Sequence, residues 1–96
     1  MPKGYIIAHI TVTDPEPYKD YVRLDTPIIE GFGGRFIVRG GKSEVVEGEA
    51  HARHVVIEFP DYASAMACYR SPEYQKVADI RRATAESVIL VVEGHA

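Results

Sequence analysis

Few side chains in this sequence combine reactive chemistry with a placement that invites it. Residues 32–41 read FGGRFIVRGG, where two glycine pairs bracket a run in which Arg35 and Arg39 flank three apolar residues. An arginine aimed into a pocket can orient a carboxylate or enolate oxygen, and an imidazole or carboxylate beside it can move a proton. His9, in YIIAHITV, and Glu58, in HARHVVIEFP, are the candidates for that second role. The glycines do not form a phosphate cradle. Such a cradle needs them between a strand and a following helix, whereas here the first pair follows a helical segment and the second interrupts a β-rich one.

The relation of Arg39 to Glu58 depends on strand register. Counting back from a turn at residues 47–50, an unbulged ladder pairs Val46 with His51 and Arg39 with Glu58. Those two then share the non-helix face of the sheet with His9, and Phe36 and Val38 join the apolar face. A single bulge at Gly40-Gly41 instead sets Arg39 opposite Ile57, because side chains alternate with period two. Both a structural ion pair at a subunit interface and a ligand-binding pair fit the favoured register.

The other histidines build no metal site. His54 and Glu58 are four residues apart on one strand, about 13 Å when extended, which is too far for one ion. His51 falls near the turn and His95 in the tail. Cys68 lies between alanine and tyrosine with no activating neighbour and reads as core. Tyr18, Tyr21, Tyr69 and Tyr74 recur at helical spacing, so most pack, with a hydroxyl or two available to a pocket.

These residues have to be positioned by regular elements. Residues 5–12 alternate, with Ile6, Ala8, Ile10 and Val12 on one face and Tyr5, Ile7, His9 and Thr11 on the other. Asp14, Pro15 and Glu16 open a helix whose stripe is Tyr18, Tyr21, Val22, Ile28 and Ile29. Pro27 is expected to kink or split it, and Gly31, Gly33 and Gly34 end it. The second strand is read as RFIVRGG continuing, interrupted, into KSEVVEGEA, and the third spans residues 51–60. Asp61 caps a helix to about Arg70 that turns Ala65, Cys68 and Tyr69 inward. Ser71 and Pro72 start another helix, to about Thr84, and SVILVVEG is the last strand. The order β-α-β-β-α-β is that of a ferredoxin-like α+β domain, residues 1–96, with a four-stranded antiparallel sheet and its helices on one face.

Composition bounds the partners. The chain has 96 residues, 46% hydrophobic and 26% charged, with a net charge of −3. This is the balance of one folded domain, and the negative sign disfavours nucleic acid. A single cysteine excludes an intrachain disulfide and fits a reducing, cytoplasmic setting. The apolar run near the N-terminus is too short and too soon broken for a membrane span. The bare sheet face carries Tyr5 and Ile7 and is too apolar for water, so a homodimer in which a second subunit covers it is expected.

RFIVRGG, VEGE, HVVIEFPDY, ACYRSPEYQKVADIRR and VVEG together resemble the family of unknown function DUF1330 across nearly the whole chain. The resemblance implies the dimeric α/β-barrel superfamily, whose members include cofactor-free monooxygenases, haem-degrading enzymes and lactone isomerases. It brings no activity of its own. It implies that Arg39, Glu58, Tyr69, Ser71 and Tyr74 matter, and we assign Tyr69, Ser71 and Tyr74 to ligand binding. No residue pattern suits a haem ligand, so no cofactor is expected. Two functions are expected as alternatives. One is a homodimeric enzyme acting on a compact anionic or oxygenated organic molecule, with Arg39 orienting it and His9 or Glu58 moving a proton. The other is a non-catalytic ligand-binding or stress-associated dimer.

Overall fold

The computed structural model describes residues 2–96. Its elements are β1 (Gly4–Val12), α1 (Pro15–Gly31), β2 (Arg35–Arg39), β3 (Arg53–Phe59), α2 (Tyr62–Arg70), α3 (Pro72–Thr84) and β4 (Ala85–Glu93). All strand pairs are antiparallel, in the order β2-β3-β1-β4. This is the ferredoxin-like α+β fold, with the second helical segment divided into α2 and α3.

The division is local chemistry. Asp61 caps α2 by accepting from the Ser64 amide at 2.7 Å, and Ser71 caps α3 by accepting from the Tyr74 amide at 3.1 Å. Pro72 at the first position of α3 lacks an N–H that a helix start leaves unpaired anyway. By contrast, Asp14 stands at the N-cap of α1 without a side-chain cap bond. The expected break at Pro27 does not occur; α1 runs through it for 17 residues. Gly33, at φ 85°, supplies the left-handed residue just past the helix end.

The core lies between the helices and one face of the sheet. Ile6, Ala8 and Ile10 of β1, with Val55, Ile57 and Phe59 of β3, meet Tyr18, Tyr21 and Ile29 of α1, Ala65 and Cys68 of α2, and Tyr74 and Ala78 of α3. The alternation read from β1 is therefore the observed one. The opposite face is open, and Val38, Val88, Leu90 and Val92 stand exposed there.

Two expectations about β2 are corrected. Residues 40–52 form an exposed loop with no strand, so β2 ends at Arg39 and the ladder through Val46 does not form. Lys42, Glu44, Glu47 and Glu49 in this stretch offer little apolar surface to hold an edge strand. The bulge also lies elsewhere. Arg35 pairs with Glu58 and Phe36 with Ile57, then the register shifts so that Val38 pairs with Val56 and Arg39 with Val55. Ile37 is the extra residue, and it reverses the facing of the two residues after it. Val38 turns to the open face, and Arg39 turns to the helix side.

Candidate functional site

The bulge carries Arg39 under α1. Its Nη2 donates to Thr26 Oγ1 at 2.7 Å, to the Val22 carbonyl at 3.3 Å and to Asp25 Oδ1 at 3.4 Å. The guanidinium lies 3.8 Å from the centroid of the Phe36 ring. Arg39 thus meets a carboxylate, but it is Asp25 and not Glu58. The Glu58 side chain is on the open face, where it accepts from Arg35 at 3.0 Å and from the Tyr5 hydroxyl at 3.3 Å. His9 is also there, with its Nδ1 2.9 Å from His54 Nδ1. The expectation that His9, Arg39 and Glu58 share one face is therefore overturned by the parity of the ladder.

Asp25 occupies the buried stripe of α1, following Tyr18 and Tyr21 at helical spacing, and is only 4% exposed. Burial pushes its carboxyl up to about 6, against the opposing pull of Arg39 and the hydrogen bond from Thr26. At neutral pH it is mostly ionised and basic enough to accept a proton. Beside it, the hydroxyls of Tyr21 and Tyr74 are 2.6 Å apart. Burial raises both phenols, so they stand as neutral donors.

Arg81 backs this pair. It is 3% exposed, donates to Ser87 Oγ at 2.6 Å and lies 5.7 Å from the Tyr21 ring. Burial alone would lower its affinity for its proton, but Tyr74 and Tyr21 outweigh that and raise it. The Nε atoms of both Arg81 and Arg53 are buried with no acceptor. Neither arginine has a carboxylate within 4.0 Å among the described residues. Two guanidinium groups, those of Arg39 and Arg53, therefore act on the Asp25 carboxylate, and that of Arg81 stands behind the tyrosine pair.

These groups enclose a cavity between the helices and the sheet. It is about 20 Å³, measured as room for the centre of a water-sized sphere, enough for one water. Asp25, Arg39, Arg53, Tyr18, Tyr21 and Tyr74 give it polar walls, and Ile6, Ala8, Ile10 and Phe36 are among its apolar ones.

Of the residues singled out by sequence, Arg39, Tyr18, Tyr21 and Tyr74 meet in this cavity, whereas His9, Glu58, Tyr69 and Ser71 lie elsewhere. Ser71 is the α3 cap, and its hydroxyl donates to the Cys68 carbonyl at 2.8 Å. Tyr69 packs its ring 5.6 Å from that of Tyr74, and its carbonyl accepts from Gln75. Neither lines the cavity. Asp25, Arg53 and Arg81 were not anticipated. For Asp25 a signal existed, since a carboxylate in the apolar stripe of a helix is unusual. No group of three metal-ligating side chains assembles among the described residues.

The element order and sheet topology define a ferredoxin-like domain. The chain belongs to the family described as domain of unknown function DUF1330, whose model matches residues 3–95. Solved structures share the fold. One is a protein of unknown function from Rhodopseudomonas palustris, at 19% identity and TM-score 0.79, covering 99% of this chain and 84% of its own. A second is SnoaB, a cofactor-independent oxygenase from Streptomyces nogalater, at 14% identity and TM-score 0.69, covering 100% of this chain and 96% of its own. A third is a dimeric ferredoxin-like protein of unknown function from Jannaschia, at 12% identity and TM-score 0.66, covering 95% of this chain and 98% of its own. Comparison with curated proteins finds no match. Among the described residues no helix is long and apolar enough to cross a membrane.

Proposed function

We propose that this protein is a small homodimeric enzyme that abstracts a proton from carbon next to a carbonyl in an anionic or oxygenated organic molecule. The observation that carries this reading is Asp25, a buried carboxylate with its pKa raised to about 6, held against Arg39 in an enclosed cavity. Asp25 accepts the proton once the side chains of Tyr18, Val22 and Arg53, which border both this cavity and a larger neighbouring groove, shift to admit the reacting carbon. Arg39 and the Tyr21–Tyr74 hydroxyls stabilise the charge that develops on the enolate oxygen. Returning the proton at another carbon makes the reaction an isomerisation. Joining the enolate carbon to dioxygen gives a hydroperoxide, and its loss of water leaves a new carbonyl, which makes the reaction an oxygenation, a reading favoured by the fold shared with SnoaB.

The dimer forms through the open sheet face. Val38, Val88, Leu90 and Val92 are exposed there, and one structure of the same fold is described as dimeric. His9 and Glu58 then serve that interface, while the cavity lies on the other side of the sheet.

The test is proton exchange. Small 1,3-dicarbonyl acids in deuterium oxide should gain deuterium at the acidic carbon faster with the protein than in buffer alone, and Asp25→Asn should return the rate to that of buffer. If such acids bind but exchange equally with the wild type and the variant, the catalytic reading is refuted and a binding protein remains.

A further inference from the structure

Beside the enclosed cavity runs an open groove of about 420 Å³ on the same measure, lined by Val12, Pro15, Tyr18, Lys19, Val22 and Arg53. Tyr18, Val22 and Arg53 line both spaces. These side chains therefore stand between a chamber with room for one water and a groove with room for a sizeable organic body.

Arg53 is the informative member. It opens β3 opposite Ile10, so its side chain points to the helix side. Its guanidinium lies 5.9 Å from the Tyr18 ring centroid, with no carboxylate partner and with Nε buried and unbonded. It fits there because Gly40, at φ 66°, presents no Cβ; one built on that residue would collide with the guanidinium. Arg39 is committed to Thr26, Val22 and Asp25, whereas Arg53 keeps donors free. A cation with free donors, set where an apolar groove meets a polar chamber, has the chemistry of a head-group clamp.

We infer that the ligand is an amphiphilic organic acid, held with its oxygenated anionic head on Arg53 at the chamber mouth and its apolar body along Val12, Pro15 and Val22. This rests on the preceding reading that the cavity is the reacting site, and it adds the class of molecule. The head places one oxygen toward Arg39 and the tyrosines, and the body stays in the groove. Lys19, on the rim and paired with Glu16 at 3.1 Å, is the other cation beside the groove.

Binding without turnover tests this. Butanoate, hexanoate, octanoate and 1-octanol are titrated into the ¹⁵N-labelled protein while the amides of Val12, Lys19, Val22 and Arg53 are followed. Each added methylene should tighten binding about fourfold, the factor equivalent to about 0.8 kcal/mol of buried CH₂. Arg53→Met should weaken octanoate about tenfold or more and leave 1-octanol nearly unchanged. Lys19→Glu, a change at an exposed site that does not endanger folding, should weaken octanoate more than 1-octanol. Asp25→Asn should bind octanoate at least as tightly as the wild type, which separates this inference from the proton-transfer reading. Affinity independent of chain length, octanol binding as tightly as octanoate, or shifts confined to other amides would each overturn it. The first of these would leave the exchange reaction of a compact acid intact.

Discussion

Asp25→Asn should make the protein more stable at neutral pH. Burial raises this carboxyl from 3.8 to about 6, so the folded state binds its proton roughly two powers of ten more tightly than the unfolded chain does, about 3 kcal/mol. Because the folded pKa is the higher, the contribution is fully present below about pH 4 and is lost as pH rises through 6. Above that, the native state holds an ionised carboxylate whose side chain is 6% exposed, only partly compensated by Arg39. Asparagine keeps the shape and removes the titration.

Urea unfolding of wild type and variant between pH 4 and 8 isolates the term, because every other carboxylate cancels in the difference. The two curves should converge near pH 4 and separate to about 3 kcal/mol by pH 7.5. For a chain of this length that corresponds to a melting temperature higher by roughly 10 °C or more. The gain should come with loss of deuterium exchange, the trade expected where a site keeps a poorly solvated charge for its chemistry. A wild-type minus variant difference that is flat with pH, or that favours the wild type at pH 7.5, would refute the reasoning.

Double-mutant cycles should show coupling of about 0.5–3 kcal/mol between Arg39→Met and Asp25→Asn, measured by denaturant unfolding, and none between Arg39→Met and Glu58→Gln, whose side chains lie on opposite faces. Cys68, fully buried and with its thiol pushed up to about 12 chiefly by burial, should resist a disulfide reagent at pH 8 in the native protein and react promptly in urea; a fast native reaction would contradict its packing. If the proposed dimer forms through the open face, Ile7→Asp should convert it into a 10.7 kDa monomer or unfold it, because an unpaired charge would then be buried at that contact. Sedimentation showing a stable dimer would count against the open face as the contact.

The fold was legible because its signals were local and repeated. Alternation in β1 and the caps at Asp61 and Ser71 each fixed an element without reference to the rest of the chain. The site was less legible because it depends on parity. Without the bulge at Ile37, Arg39 would stand opposite His54 on the open face; with it, Arg39 stands opposite Val55 under α1. Nothing in RFIVRGG marks Ile37 as the extra residue, and the glycine pair after it is the stronger bulge signal although the bulge is not there. Helical spacing treats Tyr18, Tyr21, Tyr69 and Tyr74 alike and cannot say which hydroxyls meet; only the resemblance sets Tyr74 apart, and its partner Tyr21 shows in the structure alone. Ser71 is a special position with a structural use, since its hydroxyl both caps α3 and bonds back to α2.

The bulge also explains how an edge strand of five residues serves a cavity. An arginine on a regular edge strand would face either solvent or a dimer partner, and its partner there would be a cross-strand acid such as Glu58. Glu58 is instead paired with Arg35, which is largely exposed, an arrangement that contributes little to stability. One inserted residue sends the second arginine through to the other side of the sheet, where α1 supplies Thr26, the Val22 carbonyl and Asp25 in a single turn. The two arginines of RFIVR therefore do different work. Arg35 tethers the sheet edge in water, and Arg39 holds the charge of a carboxylate that would otherwise be protonated through more of the pH range. Without Arg39, the carboxyl of Asp25 would rise still further, and the same residue would be an acid at pH 7 where the proposed reaction needs a base.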